Sequence, residues 1–338
     1  MKEKKTHSKR ILFIVLGILG WWLIGYILPT FDSQTISEGK KEIWITKELT
    51  NPALNYEYGE NIMDNKEINL ENYLQNFIQN KKYNNETNHV SVYYRNLNNG
   101  NWFGIKEKEL FSPASLMKTP LLLVYLKKIE QDQSVWDKKL LYTEDPIEAS
   151  YRQNIEPEKS LIDGQEYTIK ELLEYMIRYS DNKASVLLEK NITLDDYKKA
   201  FTDNQLLFPE IIDGRFDNNL KVIDYARFFR VLFNASYVNK ELSNYGLQLL
   251  TQIDFSKWLV AGVDTNIPVA HKFGERGIIW ANGIEEKQLH DCGIIYYPDH
   301  PYILCVMTRG YDLEKLEEIV STISKTIYQE VKKEYTKK

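Results

Sequence analysis

Three short stretches carry residue types that can do chemistry together. In FSPASLMKTP, residues 111–120, Ser115 stands three positions before Lys118 at the head of an apolar run, LLLVYL. Spacing of three puts both side chains on one helical face. Free N–H groups and the dipole at a helix start stabilise negative charge on a serine oxygen. Leu116, Met117, Leu121, Leu122 and Leu123 surround the lysine with apolar matter, and desolvation lowers an ammonium's pKa. A neutral Lys118 can then take the Ser115 proton and leave a nucleophile. The plain alternative is a buried lysine stem that snorkels to water, and Ser37 and Lys40 repeat the spacing in a segment assigned no function.

The second stretch is YSDNKAS, with Ser180, Asp181 and Asn182 following the helical pattern ELLEYMIRY. As structure alone it is a helix N-cap, Ser or Asp capping DNKASVLLEK. Cap geometry also fixes a short loop, so the Ser180 hydroxyl and the Asn182 amide are free to face a cleft. The third stretch is HKFG, residues 271–274, in the strand pattern IPVAHKFGE. Lys272 directed inward supplies positive charge, and Gly274 lets a substrate lie against the strand backbone.

These stretches need a scaffold that brings positions 115, 180 and 272 together. INLENYLQNFIQN has helical periodicity, and HVSVYYRNL and NWFGIKEK read as strands joined through Asn98-Asn99-Gly100. A long middle is mostly helical: TIKELLEYMIRYS, DNKASVLLEK and NLKVIDYARFFRVLFNA are its clearest members. Strand patterns return in IPVAHKFGE, GIIWANGIE, HDCGIIYYP and PYILCVMTR, and the helix LEKLEEIVSTISKTIYQEVKK follows. The expected fold is α+β, an antiparallel sheet assembled from N- and C-terminal parts with a helical lobe inserted.

The chain of 338 residues, 43% hydrophobic and 27% charged, has apolar material for a sizeable core. A net charge of −5 gives no electrostatic case for nucleic acid. Residues 1–10, MKEKKTHSKR, form a basic flank, and residues 11–28, ILFIVLGILGWWLIGYIL, are uncharged. At 1.5 Å per residue that run spans about 27 Å, close to a hydrocarbon core. It reads as one transmembrane anchor with the basic flank inside, a single pass that puts the rest on the extracytoplasmic side of the cell membrane. A cleaved signal peptide is the rival reading, although the run is long for one and no A-x-A site follows. Residues 29–66 read as a polar stalk and 67–338 as the folded domain. The five histidines show no ligand spacing, so no metal and no cofactor is expected. Cys292 and Cys305 flank the turn YPDHP and can face one another in a hairpin, as a disulfide or as two buried thiols.

S-x-x-K, S-D-N and K-x-G in this order make residues 67–336 resemble the serine β-lactamase and penicillin-binding superfamily, class A β-lactamases above all. GQEYTIKELLEYMIRYSDNKAS is similar to that family's helix into its S-D-N loop. The resemblance implies an acyl-enzyme on Ser115, with Lys118 as base. Ser180 would relay a proton to the leaving nitrogen, tuned by Lys272, and Asn182 would bind a substrate amide. The N–H groups of Ser115 and Glu275 would form an oxyanion hole beside Gly274. The implied activity is β-lactam hydrolysis by a monomer. The alternatives are a D-Ala-D-Ala carboxypeptidase or transpeptidase acting on peptidoglycan peptides, and a catalytically weak cell-wall binding protein. Two departures stand out. Phe273 replaces the hydroxyl residue of K-T-G, so Arg276 is the candidate carboxylate partner. No E-x-x-L-N stretch occurs, which leaves Glu210 as the possible deacylation base, with Asp213 and Asp217 as alternatives.

Overall fold

Both faces of the central sheet are covered, which explains why its strands read as almost unbroken apolar runs. The computed structural model describes residues 50, 65–144, 155–208, 210–212, 215–217, 220–279 and 283–336, the backbone alone at 210–212, 215–217 and 336. These residues belong to one compact unit within Lys41–Lys338. The expected anchor at 11–28 lies outside them, as do its basic flank and nearly all of the stalk. No helix among the described residues is long and apolar enough to cross a membrane.

Helix α1 (Asn65–Tyr83) leads into strands β1 (His89–Asn96) and β2 (Trp102–Ile105), joined through Gly100 at φ +79°. The short strand β3 (Leu110–Phe111) precedes a 3-10 turn, Ala114–Met117, which runs into α2 (Lys118–Gln131). The helical lobe follows, with β4 (Lys139–Leu141), β5 (Glu166–Thr168), α3 (Ile169–Arg178), α4 (Asn182–Glu189) and α5 (Leu194–Thr202). After the strands β6 (Glu210–Ile212), β7 (Arg215–Asp217) and β8 (Leu220–Lys221) come α6 (Val222–Phe233) and α7 (Lys240–Thr251). The chain returns to the sheet with β9 (Val269–Ile279), β10 (Glu285–Ile295) and β11 (Tyr302–Gly310), then α8 (Leu313–Thr336).

The five-stranded sheet has the order β2-β1-β11-β10-β9 and is antiparallel throughout. N- and C-terminal strands meet where His89 to Asn96 pair with Arg309 to Tyr302. Period-two alternation sorts each central strand between two cores. Tyr93, Ile303, Cys305 and Met307 face the helical lobe, where α2 is buried nearly all round. Val92, Tyr94, Leu304 and Val306 face the other side, under α8, whose Leu316, Ile319, Val320, Ile323 and Ile327 fall at three- and four-residue spacing.

One strand assignment needs correction. GIIWANGIE is not a separate strand: Gly277 to Ile279 extend β9, and Glu285 opens β10. Gly283 lies between them at φ +80°, a backbone conformation that favours glycine. Cys292 and Cys305 are direct cross-strand neighbours, and both are free buried thiols.

Candidate active site

Ser115 sits in the 3-10 turn rather than in the helix proper. Ala114 before it adopts φ +49°, and Leu116 N–H donates to the Pro113 carbonyl at 3.0 Å. Two buried tyrosines secure the far side of the turn. The Tyr225 hydroxyl donates to the Leu116 carbonyl at 3.0 Å, and the Tyr197 hydroxyl donates to the Met117 carbonyl at 3.2 Å.

Ser112, just upstream, is tethered by three side chains from β9 and β10. Its N–H donates to Gln288 Oε1 at 3.0 Å, and its hydroxyl accepts from Arg276 Nη1 at 2.8 Å. Its carbonyl lies 2.9 Å from His290 Nε2. Because His290 Nδ1 accepts from the Thr308 N–H, Nε2 carries the ring proton and donates to Ser112. Burial holds the His290 pKa down at about 4, so the ring stays neutral in this role. None of these tethers has a sequence motif, although a buried His and Gln in apolar strands were the available signal.

Lys118 lies one turn past Ser115, only 3% exposed. Its Nζ is 3.2 Å from Ser115 Oγ, 3.1 Å from Ser180 Oγ, 2.6 Å from the Ser180 carbonyl and 2.8 Å from Asn182 Oδ1. Burial is the main reason its pKa falls to about 7, while Asp181 pulls the other way. An amine with that pKa is partly neutral at neutral pH and can accept the Ser115 proton.

The Ser-Asp-Asn loop supplies the expected helix cap, and Asp is the residue that makes it. Asp181 caps α4: its Oδ1 accepts from Lys183 N–H at 3.0 Å and from the Ser160 hydroxyl at 3.1 Å, and its Oδ2 accepts from Leu161 N–H at 3.0 Å. With the aspartate pinned, Ser180 is forced to φ +55°, an uncommon conformation for a residue with a side chain. Its hydroxyl lies between two amines, with Lys272 Nζ at 3.0 Å on the side opposite Lys118.

Lys272 is fully buried on β9 and also donates to the Phe273 carbonyl at 2.9 Å. Desolvation first, and then repulsion from Lys118, drives its pKa well below the usual lysine value, with Asp291 opposing. Among the described residues no carboxylate hydrogen-bonds either amine, so the pair resists double protonation.

Gly274 has a more specific reason than room for a substrate. A Cβ there would meet the Pro113 carbonyl at 2.7 Å and the N–H nitrogens of Ser115 and Leu116 at 3.1 Å each. The glycine lets the nucleophile's turn press against β9. Because β9 is an edge strand, N–H groups on its free side are not used by the sheet. Glu275 fastens a neighbouring loop, its Oε1 accepting from Ile155 N–H at 2.8 Å. The Phe273 ring packs into the second core and also lies beside the Lys272 amine, whose Nζ is 4.0 Å from the ring centroid. It stacks on Phe255 at 4.1 Å and meets Trp258 edge-on at 5.5 Å, inside the second core. Arg276 is exposed on the same side of β9 as Lys272. Glu210 lies in the short β6–β7 pair, and its side chain is outside the described part, as are those of Asp213 and Asp217.

A serine flanked by an amine of lowered pKa, with a second serine linking that amine to another, has the groups of a serine hydrolase: a nucleophile, a base and a hydroxyl relay. Residues 69–331 match the family model described as the β-lactamase enzyme family, and the chain belongs to that family. Among solved structures, PBP-A is similar over 78% of this chain and 96% of its own, with 20% identity and a TM-score of 0.63. The TLA-1 extended-spectrum β-lactamase is similar over 79% of this chain and 99% of its own, at 18% identity and a TM-score of 0.65. A β-lactamase from Chitinophaga pinensis matches over 78% and 99%, at 16% identity and a TM-score of 0.65. At these identities the likeness is one of fold. No curated protein matches the chain.

Proposed function

We propose that this protein is a membrane-anchored, extracytoplasmic serine enzyme that is acylated by β-lactams on Ser115 and hydrolyses them slowly. The observation that carries the reading is the continuous path Ser115–Lys118–Ser180–Lys272, linked at 3.2, 3.1 and 3.0 Å. Ser115 Oγ attacks the lactam carbonyl while neutral Lys118 takes its proton. The developing oxyanion is held by the N–H groups of Ser115 and Glu275. As the C–N bond breaks, Ser180 passes a proton to the leaving nitrogen and recovers one from the amines beside it, leaving an ester on Ser115. Asn182 and the exposed Arg276 are the groups assigned to the substrate's amide and carboxylate.

Release of that ester needs an activated water. The chain lacks E-x-x-L-N, and loss of a positioned general base typically costs about 10²- to 10⁴-fold. The same absence favours a second reading, a penicillin-binding carboxypeptidase or transpeptidase acting on peptidoglycan peptides. One of the similar solved structures is an acyl-enzyme complex of a PBP-A variant with penicillin G. Residues 11–28 supply the anchor in either case, and both kinds of substrate lie outside the membrane.

Intact-protein mass spectrometry after penicillin treatment tests the reading. The expected result is an adduct on Ser115 that is absent in Ser115→Ala and decays slowly, with poor nitrocefin turnover. Lack of any adduct would refute acylation. Fast nitrocefin turnover that survives Glu210→Ala would refute the claim that hydrolysis is crippled or runs through Glu210.

A further inference from the structure

At the sheet edge opposite β9, two clefts share a pair of arginines. One, of about 150 Å³, is lined by Tyr93, Arg95, Trp102, Arg227 and Arg230 among others. Its neighbour, of about 270 Å³, is lined by Arg95 and Arg230 together with Leu97, Gly100 and Asn234. Arg95 comes from β1. Arg227 and Arg230 come from one face of α6, three residues apart, where that helix packs on β1 and β11.

All three arginines are half-buried. Two other arginines have carboxylates, Arg178 with Glu174 and Arg309 with Glu109, while Arg276 donates to the Ser112 hydroxyl. Among the described residues Arg95, Arg227 and Arg230 make no ion pair. Arg227 instead donates to the carbonyls of Asn204 and Gln205 at 3.0 and 3.1 Å. Burial, then the charge of Arg95, lowers the Arg230 pKa. Like charges held together in a partly desolvated cleft destabilise the fold unless an anion sits among them.

We propose that this arginine cleft is a binding site for a phosphate group. One guanidinium fork satisfies a planar carboxylate, whereas forks converging from two elements match the oxygens around a tetrahedral phosphorus. Tyr93 and Trp102, with ring centroids 5.7 Å apart, give the cleft an aromatic wall for a short carbon skeleton. The phosphate comes either as the free ion or on a small organic carrier. Because β1 and β2 lie across the sheet from β9, binding here leaves the acylation centre open.

The test is thermal unfolding of the full-length chain, titrated separately with inorganic phosphate and glycerol 3-phosphate at ionic strength held constant with chloride. Wild type should show a saturable rise, roughly 5 °C at a hundredfold excess over Kd. Arg95→Gln and Arg230→Gln should each weaken binding about tenfold or more, and the double variant should abolish it. Without phosphate, the variants should melt no lower than wild type, because the repulsion has been relieved. Their circular-dichroism spectra should match wild type, which reports that the fold is intact and makes this result independent of the acylation test. Tighter binding of glycerol 3-phosphate identifies a carried phosphate, and tighter binding of the inorganic ion identifies the free one. A wild-type response no larger than that of chloride, or one that persists in the double variant, would overturn the proposal.

Discussion

Lys118 Nζ has four oxygen neighbours, whereas an ammonium has three hydrogens and a neutral amine has two hydrogens and a lone pair. The neutral form suits the site best when its lone pair faces Ser115 Oγ and its hydrogens go to the Ser180 carbonyl and Asn182 Oδ1. Burial favours that form as well, since it brings the pKa to about 7. Acylation should therefore rise with pH through an apparent pKa near 7 and level off above it. Lys118→Ala should lower the acylation rate by about 10²- to 10⁴-fold and remove that titration. Stopped-flow labelling with a chromogenic β-lactam across pH 5 to 9, a window of about two units either side of the titration, reads both effects. A flat wild-type profile would contradict the base assignment.

At the scale of elements, the site is held by short connections between helices and strands. Asp181 caps α4 at the Lys183 N–H and ties it to residues 160 and 161 through two further hydrogen bonds. Asp181→Ala should destabilise the protein by about 1–3 kcal/mol, combining a lost cap with unsatisfied buried donors. It should also slow acylation, because Ser180 would no longer be held at positive φ; urea unfolding and penicillin labelling measure the two effects separately. Gly274 acts between elements in the same way. Gly274→Ala should push the Pro113–Leu116 turn off β9 and abolish labelling, since the obstructing atom at 2.7 Å is backbone and cannot swing aside. Normal labelling of that variant would show that the turn has slack.

At the scale of the whole molecule, two cores on opposite faces of one sheet clamp β9, and Phe273 joins the second core while its ring centroid lies 4.0 Å from Lys272 Nζ. Phe273→Ala should cost about 3–5 kcal/mol, as for other large buried rings, measured by chemical denaturation. It should also impair acylation, both through a loosened β9 and through the lost ring beside Lys272 Nζ. The buried amines also tilt stability with pH. Folding lowers the Lys118 pKa from 10.5 to about 7 and moves Lys272 in the same direction. Between those values the unfolded chain binds more protons than the folded one, so stability should rise as pH rises from about 7 toward 10.5. Lys118→Met should flatten that rise and be more stable than wild type near pH 7, as denaturation midpoints across the range would reveal.

Much of this was legible in residue order. The apolar strand runs, the turn at Gly100 and the helical pattern of α8 are local properties, set by backbone and side-chain chemistry within a few residues. The identities of Ser115, Lys118, Ser180 and Lys272 were visible for the same reason, because each sits in a short motif. What residue order could not supply was distance. That Ser180 Oγ lies between two amines, that Gly274 accommodates a turn from 160 positions earlier in the chain (274 − 114), and that Arg95 meets Arg230 depend on how the sheet closes over the helical lobe. The Phe273 substitution is the clearest case. Its chemistry read as a lost hydrogen bond, yet the ring is packed into the second core and its centroid lies 4.0 Å from Lys272 Nζ. The sequence by itself determined which groups are present; only packing across long separations decided which of them meet, and how far water is excluded around them.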